Sequence, residues 1–234
     1  MNFSPFSFLQ QQVSAAPPSP LPSGLTVNLW QGNYTAGSTS WTNDAPGSTA
    51  VVSAIPVGGY TKNATGVVFS GTTRSILFQI NSDGVWDSNA GYTIISYMHV
   101  TSTTNKTFWG KQSTNSNGMG VDFTNNPLII MRAPGSSQQI ATTNLTTRGS
   151  LKSYGFTSTG NTNGQYYLDG SSVATTVNTT TTNFWNNTRN FTFGYSFQWT
   201  DPSIQCYLNR LLIFNRALTG TEMSDVYTYI NANQ

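Results

Sequence analysis

The chain has 234 residues and a net charge of +2, with only 8% charged side chains, one histidine and one cysteine, where a typical soluble domain carries roughly 25% charge. Its 37% hydrophobic and 13% aromatic content supplies a sizeable core, so low charge here means a neutral skin of hydroxyls and amides rather than disorder. The ten scattered basic residues form no run that could track phosphates, which argues against nucleic-acid binding; Cys206 has no partner for an internal disulfide; and no stretch approaches the roughly 18 apolar residues of a membrane span.

The first 23 residues read as an arm. Phe3, Phe6, Phe8 and Leu9 place four large apolar side chains near the start, each worth about 1.5 to 3 kcal/mol when buried, and so they are the candidate docking residues for a partner. Pro5 interrupts this segment and no basic residue precedes it, so it does not read as a secretion signal. Four prolines follow, at 17, 18, 20 and 22, and favour an extended connector without internal hydrogen bonds. The domain proper is expected over 24–234.

From Leu25 onward, short β-prone runs alternate with turn residues. Strands are expected over 25–30, 51–55, 67–70, 75–80, 92–100, 107–111, 128–132, 150–157, 165–168, 172–176, 190–195 and 205–215. A dozen such runs predict an all-β fold of two packed antiparallel sheets. Gly58-Gly59 and Gly118-Met119-Gly120 read as turns, since neither is followed by the helix and lysine of a phosphate cradle. Asp169-Gly170 lies between β-prone flanks and supplies the positive φ of a tight hairpin. Cys206 falls in an apolar run and is expected to be a small buried hydrophobe. At the end, Thr219 and Glu222 have the spacing of a capping box. Met223, Val226, Tyr227 and Ile230 then mark one apolar stripe of a short helix that can lie on the sandwich.

These features resemble the concanavalin A-like lectin/glucanase superfamily in its laminin-G-like branch. The run from Leu211 to Tyr227, with Asn215, Arg216, Ala217 and Leu218 at its turn, is similar to that branch's closing strand, turn and capped helix. Tyr167, Leu168, Asp169 and Gly170 resemble its aromatic, apolar, Asn or Asp, Gly hairpin. Trp41, Thr42, Asn43 and Asp44 resemble its Trp-x-Asp element, although Ala45, Pro46 and Gly47 stand where a Gly-rich continuation is usual. The resemblance implies a two-sheet antiparallel jelly-roll sandwich with a short C-terminal helix. Its members bind carbohydrates or proteins, sometimes through calcium, and hydrolyse glycans only in certain branches; fold alone does not choose among these.

The chemistry of the side chains narrows that choice. Glycoside hydrolysis needs two carboxylates about 5 to 9.5 Å apart, yet the sole glutamate, Glu222, is assigned to the helix cap and no Glu-x-Asp-x-x-Glu-like strand is present. His99 ends an alternating, strand-like run and no nucleophile elbow accompanies it, so no catalytic residues are expected. One histidine and one cysteine are too few for a zinc site. Calcium takes oxygen ligands, and Asp83, Asp87 and Asn89 are the candidate set; no other cofactor is expected. Sugars are held by aromatic faces with amides and carboxylates at their hydroxyls. Trp185, Asn186, Asn187, Trp199 and Asp201 are the candidates for that role. Eight Asn-x-Ser/Thr sequons follow from the composition and carry no evidence of glycosylation. Together these readings predict a non-enzymatic structural or attachment protein of a virus or phage particle, on the virion surface or otherwise extracellular. Its partners would be other particle proteins or copies of itself, and glycans. The alternatives are a stand-alone extracellular lectin and, third, a glycan hydrolase.

Overall fold

The computed structural model describes residues 20–48, 51–53, 60–70, 76–79, 91–101, 106–111, 118–122, 128–132, 138–141, 149–159, 164–177, 191–193 and 205–234. Its strands in chain order are β1 (Leu25–Trp30), β2 (Val51–Ser53), β3 (Thr61–Lys62), β4 (Val67–Ser70), β5 (Ile76–Gln79), β6 (Tyr92–Val100), β7 (Lys106–Lys111), β8 (Gly118–Asp122), β9 (Leu128–Arg132) and β10 (Gln138–Ala141). They continue with β11 (Leu151–Ser158), β12 (Gln165–Leu168), β13 (Ser171–Val173), β14 (Thr175–Val177), β15 (Phe191–Phe193) and β16 (Gln205–Phe214), and a helix α1 (Gly220–Ala232) closes the chain.

Among the described residues these strands form two eight-stranded antiparallel sheets. The first runs β13-β12-β11-β6-β16-β4-β3, with β1 also pairing β16; the second runs β14-β10-β9-β8-β7-β15-β5-β2. The all-β sandwich with one C-terminal helix is therefore the fold. A train of rings crosses it: Trp41 meets Tyr34, Tyr34 meets Tyr60, Tyr60 meets Phe69, and Phe69 on the first sheet meets Phe193 on the second edge-on at 5.3 Å. Phe193 is fully buried, and such tilted and edge-on contacts are the favoured aromatic geometry.

The strand β6 shows what the helix adds. All of its residues but His99 are buried, although successive side chains in a strand point to opposite faces. Ile95 and Tyr97 join Leu212 and Phe214 of β16 in a cluster with Met223, Val226 and Ile230 of α1. The first sheet is thus covered on both faces, by the second sheet and by the helix. Tyr227, expected in the same stripe, is half-buried at its edge.

The turn into the helix is fixed from below. The hydroxyl of the fully buried Thr93 accepts from Leu218 N at 2.9 Å and donates to the carbonyl of Arg216 at 2.9 Å. The capping box then forms as its spacing predicts: Thr219 Oγ1 accepts from Glu222 N and Glu222 Oε2 accepts from Thr219 N. Asp169 and Gly170, at φ 50° and 77°, make the predicted two-residue hairpin between β12 and β13, with both central residues in the left-handed region that such turns need.

Two readings of the sequence change. Gly118-Met119-Gly120, expected as a turn, is the start of β8, paired with β7 and β9; two flanking strands supply ladder hydrogen bonds that outweigh the weak strand preference of glycine. The single strand expected over 172–176 is two strands in different sheets, since β13 pairs β12 while β14 pairs β10. The chain changes sheets at Ala174, as sandwich corners require. Strands β3 and β10 were not among the expected runs. Gly58 and Gly59 lie outside the described residues, as does the arm up to residue 19.

Candidate functional site

The Trp-x-Asp element near the start of the domain folds back on β1. Asn43 accepts from Asn28 N at 2.8 Å and donates to Thr26 O at 3.0 Å, while Asp44 N donates to Asn28 O at 3.0 Å. Trp41, 4% exposed, donates its indole N–H to the carbonyl of Trp30 at 3.1 Å. The element therefore builds structure, and it anchors the end of β1 where Trp30 emerges.

Trp30 stands opposite Arg210 of β16, and Arg210 stands opposite Tyr97 of β6, all on the face that α1 covers. Arg210 is only 4% exposed. Its guanidinium carbon lies 5.4 Å from the centre of the Trp30 indole and 5.5 Å from that of Tyr229 on α1, distances at which a cation is attracted by the ring faces. Arg210 Nη2 donates to the carbonyl of Asn233 at 3.2 Å, next to the helix C-terminus, where the macrodipole favours a cation. Burial lowers the Arg210 pKa, while Tyr229 and the Asp44 carboxylate act in the opposite direction. Beside it, Tyr97 Oη donates to Asn231 Oδ1 at 3.1 Å and accepts from Gln234 Nε2 at 2.8 Å. The result is a patch of aromatic faces, amides and one buried cation at the end of α1. Sequence reasoning missed it, because Trp30 and Tyr97 lie far from Arg210 in the chain; the only hint was an arginine inside the apolar run of β16.

Three carboxylates among the described residues, those of Glu222, Asp169 and Asp44, are committed to structure. Glu222 receives Arg216 at 2.5 and 3.0 Å as well as Thr219 N, and these bonds, that from Arg216 foremost, hold its pKa at about 2. Asp169 accepts from Lys152 Nζ at 2.6 Å and Ser153 N at 3.0 Å, locking the hairpin to β11. Asp44 accepts from the Asn33 amide. Cys206 is buried, as expected, and burial pushes its thiol pKa far up. His99 is half-buried and meets Tyr207 edge-on at 5.3 Å. Among the described residues no cluster of three or more His, Cys, Asp or Glu could hold a metal, and no helix is long and apolar enough to cross a membrane. Trp185, Asn186, Asn187, Trp199 and Asp201 lie outside the described residues, as do Asp83, Asp87 and Asn89 and the arm residues Phe3, Phe6, Phe8 and Leu9.

Comparison with known proteins places these observations. The family model described as concanavalin A-like lectin/glucanases superfamily matches residues 59–224. No curated protein sequence matches. Among solved structures, a Trypanosoma rangeli sialidase complex is similar with a TM-score of 0.64 at 15% identity, covering 92% of this chain and 35% of that one; the chain thus spans about a third of the sialidase. Domain 4 of AbnA, a GH43 extracellular arabinanase from Geobacillus stearothermophilus, in complex with arabinotriose, matches with a TM-score of 0.58 at 18% identity over 87% of this chain and 98% of that domain. A structure described as a receptor binding domain matches with a TM-score of 0.65 at 14% identity, over 88% of this chain and 51% of that one. At these identities the likeness concerns the fold.

Proposed function

The chain belongs to the concanavalin A-like lectin/glucanases superfamily, and from that premise we propose that it is a non-enzymatic, glycan-recognising attachment or structural module of a virus or phage particle. The observation that supports the non-enzymatic part is the state of two acids among the described residues, Glu222 and Asp169. Glu222, the one glutamate, is held ionised by Arg216 and the helix cap, so it cannot deliver a proton near neutral pH as a glycosidase acid must. Asp169 is likewise spent on a hairpin.

Recognition of sugars is supported by the chemistry the fold leaves over: aromatic faces beside amides, as at Trp30, Tyr229, Asn231 and Gln234, suit the apolar faces and hydroxyls of a pyranose. The arabinotriose complex of the AbnA domain shows a protein of the same fold with a glycan, and a receptor binding domain of the same fold is in keeping with attachment. Particle assembly is supported by the neutral surface composition and by how the arm meets the domain. Leu21 packs on the helix cluster, Ser23 O accepts from Arg216 Nε at 2.9 Å and Gly24 O accepts from Asn215 N at 2.8 Å. Whatever residues 1–19 grip, they pull on a point fixed to β16 and the helix turn.

Deleting residues 1–19, which spares Leu21 and Ser23, is expected to leave a folded domain that no longer enters particles; undiminished incorporation would refute the arm's role. A glycan array is expected to show retention that weakens in Trp185→Ala or Trp199→Ala, and absence of any retained glycan would remove the lectin component. A stand-alone lectin is the second reading, favoured by the near-complete match to one isolated arabinanase domain; glycan retention without particle incorporation would select it.

A further inference from the structure

The guanidinium of Arg210 is surrounded but not satisfied. Among the described residues its Nε and Nη1 are buried without a hydrogen-bond partner, and so are Trp30 Nε1 and, next along the chain, Gln31 Oε1. The ion pairs of the described residues are Lys152 with Asp169 and Arg216 with Glu222; neither involves Arg210. A buried charge is costly even with the Asp44 carboxylate and Tyr229 acting in its favour, and buried polar groups without hydrogen-bond partners are rare enough to demand an explanation. The contact to Asn233 O and the two rings offsets only part of that cost.

The covering over Arg210 is the part of the patch that reaches solvent. Trp30 and Tyr229 are both half-exposed. The indole lies against the backbone of Gly32, whose absent Cβ would stand 2.5 Å from two of the ring carbons. Gly32 thus leaves the space into which Trp30 folds beside the guanidinium.

We propose that Trp30, Arg210 and Tyr229 form a gated subsite for the carboxylate of an acidic sugar, with Trp30 as the gate. The carboxylate would take the unpartnered N–H groups of Arg210 in charge-assisted hydrogen bonds, which are roughly twice as strong as neutral ones. The flanking rings would then cover the sugar's C–H face, which is why a glycan fits this patch better than a peptide carboxylate. This inference rests on the lectin reading above and names the class of glycan.

The test compares binding of D-glucuronate methyl glycoside, and of its methyl ester, to the full chain, followed by calorimetry and by the Arg210 Nε–H resonance in ¹⁵N NMR. The acid is expected to bind about tenfold or more tightly than the ester and to shift the Arg210 resonance; Arg210→Gln, if folded, is expected to abolish that preference, and Tyr229→Leu to weaken both ligands. Equal affinity for acid and ester, an unmoved Arg210 resonance, or an intact preference in folded Arg210→Gln would overturn the proposal. So would a response to an Asp/Glu-rich peptide but not to glucuronate. Should Arg210→Gln fail to fold, the acid-to-ester ratio and the resonance decide on the parent protein alone. Retention of neutral glycans without a carboxylate preference sinks the subsite and spares the lectin reading; no glycan retained on an array, with the Arg210 resonance still shifting under glucuronate, does the reverse.

Discussion

Replacing Gly170 by alanine probes how the helix is seated on the sheet. Two costs are expected. The residue sits at φ +77°, where a Cβ adds about 1 to 2 kcal/mol of backbone strain. The new Cβ would also stand 2.9 Å from Tyr227 Cβ and 3.1 Å from Ser224 Cα. Neither is the free end of a flexible side chain, so the hairpin or the first turns of α1 must move. That shift loosens the contacts of Met223 and Val226, and overpacking of this kind costs roughly 1 to 3 kcal/mol more. The total is about 2 to 5 kcal/mol, read as the loss of unfolding free energy in a reversible urea titration. Gly47→Ala is the control: its φ is +70° with nothing within 4 Å of the new Cβ, so it carries the strain alone. If Gly170→Ala destabilises no more than Gly47→Ala within about 0.5 kcal/mol, the resolution expected of such comparisons, the helix does not bear on the hairpin as described.

The cap offers a pH test. Glu222 is held at about 2 in the folded chain against roughly 4.3 in an unfolded one, so its contribution is complete above the unfolded value and fades as pH falls toward 2. Glu222→Gln is therefore expected to cost about 1 to 2 kcal/mol at pH 7, the gap to the parent narrowing below about pH 4; a gap constant from pH 7 to pH 3 would contradict the ion pair. Cys206, buried and with its thiol pKa raised, is expected to react with a thiol reagent only as fast as the chain opens, and rapid labelling of native protein at pH 8 would disprove its burial.

Much of the fold was legible because its signals are local. A capping box needs only Thr219 and Glu222, three residues apart, and the hairpin only Asp169 and Gly170; both form as their spacing dictates. The strands β1, β4, β6, β9 and β12 fall at the expected limits, since β-branched and aromatic runs between turn residues carry that information in each segment. Gly118 to Asp122 escaped because their strand is imposed by neighbours on either side.

The composition and the order of residues by themselves determined an all-β, acid-poor chain, its Asp-Gly turn and its capped terminal helix, because each of these is a preference of the backbone over a few residues. Tertiary structure alone decided that the chain changes sheets at Ala174, that β6 is buried on both faces, and that Arg210 is enclosed by Trp30 and Tyr229. These depend on which strand lies beside which and on where the helix comes to rest. Arg210 meets Trp30 across 180 positions of sequence, and no local pattern in either segment encodes the other.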